Sequence, residues 1–177
     1  MIRVLGLGNV LMGDDGFGPF VVRVMEATYE ADERIEFVDV GTPGLDLTPY
    51  LLGADAVIFV DTVKASGEPG ELRVYDKSDI LRHPPQARTG GHDPALKEAI
   101  LTVDAVGGGP KFVTLVGVIP AWVATGVELS PALEAALGRA IGAIAVVLDG
   151  LGFQLKRRKQ PLEPDIWWAR ESLSLNR

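Results

Sequence analysis

The chain has 177 residues, a net charge of −7 at pH 7 and no cysteine. That length suits one domain with a buried core, and a hydrophobic content of 47% is too high for a disordered chain. The negative charge argues against a general nucleic-acid binder, while the lack of cysteine excludes disulfide scaffolds, thiolate metal sites and cysteine nucleophiles. We expect a cytoplasmic protein, because the N-terminus has no export-signal pattern and the longest uncharged stretch, residues 112–127, is too short to cross a membrane.

Apolar segments of strand length alternate with helical patterns, which predicts an α/β sheet with helices on both faces. The predicted strands are residues 2–7, 35–40, 56–63, 71–75 and 111–119. The predicted helices are residues 17–29, 94–102 and 131–151, and the polar residues 82–93 are predicted to form a loop. Strand 56–63 is β-branched and almost wholly apolar, which favours a central position. Strand 71–75 follows it so closely that an antiparallel edge is expected.

Residues 156–177 differ in character from residues 1–155, which we assign to one domain. The C-terminal extension opens with four basic residues, contains two prolines and includes the adjacent Trp167 and Trp168. Two interpretations are open from the sequence. Either the extension lies on the surface of the domain, or it is a tail that binds a partner.

The first predicted strand runs into a glycine-rich segment, residues 6–18. Gly6 and Gly8 after a strand suggest a dinucleotide-binding loop, for which Asp39 would be the ribose ligand. The third glycine of that fingerprint would fall at position 11, which is leucine, so the close helix–strand packing that the fingerprint provides would be missing. Dinucleotide binding is therefore not favoured.

Two adjacent carboxylates, Asp14 and Asp15, precede the first predicted helix. One of them is expected to cap that helix, which leaves the other for a different role, because adjacent side chains point in different directions. Asp61 lies at the end of the strongest predicted strand. The carboxyl ends of the strands form the ligand crevice of open α/β sheets, so we expect Asp15 and Asp61 to open onto the same edge.

The chain has two histidines, His83 and His92. The surroundings of His83 are typical of a solvated surface residue, whereas His92 lies in a predicted loop between glycines and a proline, just before a helix. Together with Asp15 and Asp61, His92 would make a three-ligand site suited to zinc, nickel or manganese, with positions left for water or substrate. No HExxH or GxSxG motif is present, and Val63 replaces the glycine of the Asp-Thr-Gly motif of pepsin-like proteases.

In this order and spacing, the motifs resemble those of the hydrogenase maturation proteases, endopeptidases that process the large subunit of nickel–iron hydrogenases. The matching blocks are Gly-x-Gly-Asn-x-Leu-x-x-Asp-Asp-Gly-x-Gly at residues 6–18, residues 39–44, Asp61, His92 and residues 114–120. The resemblance covers roughly residues 1–150. It implies a three-layer α/β fold, in which helices cover both faces of a twisted, mostly parallel five-stranded sheet.

The resemblance also implies a metal-coordinating and catalytic site formed by Asp15, Asp61 and His92. Asp39 is a further candidate for supporting these ligands or contacting the substrate. The family has Glu or Asp at the first of these positions, and the shorter Asp15 would make a tighter site. The implied reaction removes a short C-terminal extension from the nickel-loaded large-subunit precursor. The nickel would belong to the substrate, and zinc or cadmium would occupy the same ligands in crystals containing those ions.

The sequence leaves open how the peptide bond would be broken. A metal ion could polarise the carbonyl or activate water, or Asp15 or Asp61 could act as a general base while nickel serves recognition. Two other functions compete with the protease. One is a non-enzymatic metal-binding chaperone for the large subunit. The other is a peptidyl-tRNA hydrolase-like enzyme, which is disfavoured because its catalytic histidine should follow the glycine motif closely, whereas the first histidine here is His83.

Overall fold

The computed structural model describes residues 1–30, 32–42, 47–82 and 92–169, with the backbone alone for residues 92–95. Its centre is a five-stranded sheet in the order β2-β1-β3-β5-β4. The strands are β1 Ile2–Leu7, β2 Ile35–Gly41, β3 Ala56–Thr62, β4 Leu72–Asp76 and β5 Phe112–Val118. The helices are α1 Phe17–Thr28, α2 Thr48–Leu51, α3 Lys77–Arg82, α4 His92–Ala105 and α5 Pro131–Gly150.

The topology confirms the predicted sheet. Strand β1 pairs in parallel with β2 and β3, and β3 pairs in parallel with β5. Strand β4 is antiparallel to β5 at the edge. Strand β3 is central and every one of its residues is buried, as its continuous apolar pattern predicts.

Helices cover both faces of the sheet, which gives the predicted three layers. Alternate residues of β3 point to opposite faces, so Ile58 packs in a core with α1 and α5, whereas Phe59 packs in a second core with α2, α3 and α4. Helix α5 begins as its sequence predicts, because the Ser130 hydroxyl accepts a hydrogen bond from the Leu133 amide. Among the described residues, α5 alone is long and apolar enough to cross a membrane, but its buried face packs on the sheet.

The prediction of a loop over residues 82–93 is wrong at both of its ends. Arg82 is the last residue of α3, and His92 and Asp93 form the start of α4; residues 83–91, including His83, lie outside the described residues. Helix α3 begins with reciprocal bonds: the Asp79 amide donates to the Asp76 carboxylate at 2.8 Å, and the Asp76 amide donates to Asp79 at 3.2 Å. This arrangement is a capping box with aspartate in both positions.

The described part of the C-terminal extension runs along α1. The amides of Arg158 and Leu162 donate to the carbonyls of Thr28 and Ala27, each at 2.9 Å, so the extension satisfies carbonyls that the end of α1 leaves unpaired. Farther along, Trp168 is 2% exposed and packs edge-on against Phe20, with ring centroids 5.1 Å apart. As far as residue 169 the extension therefore lies on the surface of the domain.

Candidate active site

The glycine-rich segment between β1 and α1 brings backbone against backbone. A Cβ on Gly18 would lie 2.3 Å from the Leu7 carbonyl oxygen and 2.4 Å from that of Val60, so only glycine lets α1 start directly on the ends of β1 and β3. Gly8 has φ 128°, and a Cβ there would meet the Asp15 carbonyl oxygen. The close helix–strand packing absent from the nucleotide fingerprint at position 11 is thus supplied by Gly18.

This packing carries Asp15 to the carboxyl edge of the sheet, where it is 4% exposed. Its carboxylate is bonded on both oxygens. Oδ2 accepts a hydrogen bond from the main-chain amide of Asn9 at 2.9 Å, and Oδ1 accepts one from the Thr62 hydroxyl at 3.3 Å. The first bond comes from the same loop and the second from the end of β3, so Asp15 is oriented by two separate segments of the chain.

Asp61 is the penultimate residue of β3 and is 9% exposed. Its Oδ1 accepts a hydrogen bond from the Thr62 amide at 2.7 Å. Asp15 and Asp61, 46 positions apart in the chain, therefore both bond to Thr62. The structure brings these two predicted site residues together at one edge of the sheet.

The third predicted ligand, His92, is the first residue of α4 rather than part of a loop before it. Its side chain lies outside the described part of the structure. Among the side chains that are described, no group of three or more His, Asp or Glu residues could hold a metal ion. The structure therefore places the two carboxylates at one edge, whereas the roles of Asp15, Asp61 and His92 in metal binding and catalysis stay predictions.

Asp14 has a different function from the one its position predicts. Helix α1 has Gly16 as its N-cap, without a side-chain capping bond, so the expectation that one aspartate caps α1 is wrong. Asp14 is fully buried and accepts hydrogen bonds from the amides of Ala121, Trp122 and Ser130 and from the Ser130 hydroxyl, at 2.6–3.1 Å. It joins the loop before α1 to the loop before α5.

Asp39 supports the same edge from β2. Its Oδ2 lies 3.3 Å from the Arg23 guanidinium, and its Oδ1 accepts a hydrogen bond from the Gly41 amide at 3.1 Å. The Gly41 carbonyl in turn accepts a bond from the Gly8 amide at 2.9 Å. Asp39 therefore braces the backbone at the end of β1, where the glycine-rich segment begins.

Sequence reasoning missed the parts played by Asn9, Thr62 and Asp14. Asn9 stabilises its own loop, because its side-chain oxygen accepts a hydrogen bond from the Leu11 amide while its main-chain amide donates one to Asp15. The Asn9 contact is local and fits the Asx-turn preference of asparagine, so the sequence carried a signal for it. The partners of Thr62 and Asp14 are distant in the chain, and no local pattern announces them.

The arrangement places two buried carboxylates side by side at the carboxyl edge of an α/β sheet, the edge at which open α/β proteins bind their ligands. The family model for hydrogenase maturation protease matches residues 19–146 of this chain. The chain belongs to that family, and it is therefore a peptidase, a hydrolase that acts on peptide bonds.

Individual relatives agree with this assignment. The chain is 32% identical to the hydrogenase expression/formation protein HupD of Bradyrhizobium diazoefficiens, over 91% of this chain and 84% of that protein. It is 29% identical to the hydrogenase 2 maturation protease of Escherichia coli, over 86% of this chain and 93% of that protein. The solved structure of the hydrogenase maturating endopeptidase HybD from E. coli superposes with a TM-score of 0.82 at 28% identity, over 89% of this chain and 97% of that one.

Proposed function

We propose that this chain removes the C-terminal extension of the large-subunit precursor of a nickel–iron hydrogenase after nickel has been loaded. In this proposal the nickel arrives as part of the substrate and is recognised by Asp15, Asp61 and His92. The observation that supports the proposal is the pair of carboxylates, Asp15 and Asp61, both bonded to Thr62 at the carboxyl edge of the sheet. Family membership supplies the protease activity.

Recognition of the substrate's metal gives a simple reason for selectivity. Carboxylate and imidazole ligands suit nickel or zinc, and a set of three leaves coordination positions for groups of the precursor. A precursor without nickel offers nothing to complete this coordination shell and would bind weakly. The same ligand set accounts for the expectation that zinc or cadmium occupies the site in crystals.

The hydrolytic step needs a base close to the scissile bond. One carboxylate of the pair accepts a proton from water as the water oxygen adds to the carbonyl carbon. The proton passes to the departing nitrogen as the C–N bond breaks, which yields a new C-terminal carboxylate and a free amino group. In the metal-assisted version the substrate's nickel polarises the carbonyl, so exchanging that nickel for zinc would change the cleavage rate as well as the binding.

The test is cleavage of a purified precursor, with and without nickel. Cleavage is detected by mass spectrometry as the loss of the mass of the extension. Asp15→Asn, Asp61→Asn and His92→Gln should each lower kcat/KM on the order of 100-fold or more, because each replaces a carboxylate or an imidazole, which can act as a base or ligand, by a neutral amide. Asp149→Asn is the matched control, since Asp149 is exposed and bonds to Gln154 far along α5. Full cleavage by all three site variants would overturn the assigned site.

The competing functions make different predictions in the same assay. A chaperone would bind the precursor and leave its mass unchanged, and a peptidyl-tRNA hydrolase-like enzyme would leave the precursor uncut; family membership favours the protease over both. The cytoplasmic location belongs to the proposal as well. Cell fractionation checks it, with the chain expected in the soluble fraction beside the uncleaved precursor.

A further inference from the structure

We propose that Thr62 is a positioning residue for this reaction, which sets the orientation of Asp15 relative to Asp61. This inference rests on the proposed function for its chemistry. The contacts that carry it are independent of that function. Thr62 is 1% exposed, its hydroxyl donates to Asp15 and its amide donates to Asp61. A single residue thus touches both carboxylates.

The amide of Thr62 is available because of where β1 ends. Successive amides of a strand point to opposite neighbours. The Val63 amide donates to the Val118 carbonyl on the β5 side, so the Thr62 amide faces the β1 side. Strand β1 pairs with β3 only as far as Gly6 opposite Val60, and beyond that point the Thr62 amide bonds to the Asp61 carboxylate instead.

The hydroxyl of Thr62 makes the contact to Asp15, which the main-chain amide of Thr62 does not make. It reaches across from β3 to the loop before α1 and bonds to Oδ1 of Asp15, while the Asn9 amide bonds to Oδ2. Two donors on two different oxygens fix the rotation of the carboxylate about its last side-chain bond. The plane of the Asp15 carboxylate is therefore set by a residue of the same strand that carries Asp61.

Fixing that plane matters for both uses of the pair. A cation or a water molecule held between two carboxylates requires their lone pairs to point at the same place, and a group that hydrogen-bonds to a ligand commonly controls its affinity.

The experiment compares Thr62→Val, which keeps the shape and removes the hydroxyl, with Thr62→Ser, which keeps the hydroxyl. Thr114→Val is the matched control, because Thr114 is a threonine of the neighbouring strand β5 that pairs opposite Ile58, in the middle of β3. Three measurements are made on the full chain: cadmium affinity by calorimetry, kcat and KM for the nickel-loaded precursor, and the crystallographic orientation of the Asp15 carboxylate.

We expect Thr62→Val to weaken cadmium binding and lower kcat by about 10-fold or more, with the Asp15 carboxylate rotated and the fold intact. Thr62→Ser should stay within about threefold of the wild type in both cadmium affinity and kcat, and Thr114→Val should equal the wild type in both. The inference is overturned if Thr62→Val keeps the Asp15 orientation, or if its kcat and cadmium affinity equal those of the wild type. It is equally overturned if Thr62→Ser falls as far as Thr62→Val.

These results are separable from the proposed function. Failure of the wild type to cleave the nickel-loaded precursor would overturn the proposed function. The orientation of Asp15 in the Thr62→Val crystal would still decide whether Thr62 positions it. A loss of thermal stability in Thr62→Val without any change in kcat would assign Thr62 a purely structural role and end the proposal.

Discussion

Asp14 and Ser130 lie 116 positions apart in the chain, yet the carboxylate of Asp14 accepts hydrogen bonds from both the amide and the hydroxyl of Ser130, at 2.6 and 2.9 Å. Ser130 is also the N-cap of α5, so the same residue starts that helix and fastens it to the loop before α1. The loop that carries Asp15 is therefore held to the start of α5 by the neighbouring residue Asp14, which is not part of the carboxylate pair.

Asp14→Asn should destabilise the fold by about 3 kcal/mol, as measured by urea denaturation. The reason is that the side-chain NH2 of asparagine cannot accept the hydrogen bonds that the replaced carboxylate oxygen accepts, and a buried donor left unpaired is costly. Asp149→Asn, at an exposed position, should change the free energy of unfolding by less than about 0.5 kcal/mol. Equal stabilities of the two variants would show that the four bonds to Asp14 contribute little.

Gly18→Ala should destabilise the protein by at least about 3 kcal/mol, or prevent folding, because the added methyl group would overlap the backbone oxygens of Leu7 and Val60. Gly138→Ala is the matched control: Gly138 is also a helical glycine, but a Cβ there meets nothing within 4 Å. That substitution should stabilise the protein by up to about 1 kcal/mol. The readout is the thermal midpoint of each variant by circular dichroism. A Gly18→Ala variant as stable as the wild type would contradict the close packing of α1 on the strand ends.

The fold could be predicted from the sequence because hydrophobic patterns decide it directly. Strand β3 is buried on both faces, so its apolar run predicted both a strand and a central place. Ser130 followed by proline predicted the start of α5 correctly. Helix α3 escaped prediction because its signal is one pair of aspartates, Asp76 and Asp79, in a polar segment with little hydrophobic periodicity.

The candidate site was predictable only in part. The position of Asp61 at the end of a parallel strand places it at the crevice by topology alone, and the same rule brings Asp15 beside it. The hydroxyl of Thr62 and the long-range bonds of Asp14 depend on side-chain directions in the folded chain. Local propensity assigned Asp14 or Asp15 to a helix cap, and tertiary contacts with the start of α5 outweighed that preference for Asp14.

The ion pair between Asp32 and Arg34 makes a prediction about pH. Hydrogen bonds from the side chain and the amide of Arg34 lower the pKa of Asp32 from 3.8 to about 2. Because the pKa in the folded state is lowered, the pair contributes stability above pH 4 and loses that contribution as the pH falls from about 4 to about 2. A carbon-detected NMR titration should show this midpoint for Asp32.

The matching substitution is Arg34→Gln, which should return the Asp32 midpoint toward 3.8 by removing the donor with the largest effect. Arg139→Gln serves as the control, since Arg139 bonds to the Gly70 carbonyl in another part of the fold. A midpoint near 3.8 in the wild type would mean that the two side chains are not paired in solution.

The C-terminal extension offers the most direct test of whether it belongs to the folded domain. Trp168→Ala should cost about 3–5 kcal/mol, because it removes a side chain that is 2% exposed and packed against Phe20. Trp167→Ala is its neighbour and control: Trp167 is 45% exposed, so its truncation should cost less than about 1 kcal/mol. The loss of stability in Trp168→Phe should lie between those of the other two variants. The buried Nε1 of Trp168 has no hydrogen-bond partner among the described residues, so its removal leaves no other group unpaired. Urea denaturation of the three variants gives these values. Equal stabilities of Trp168→Ala and Trp167→Ala would mean that the extension is detached from α1 in solution.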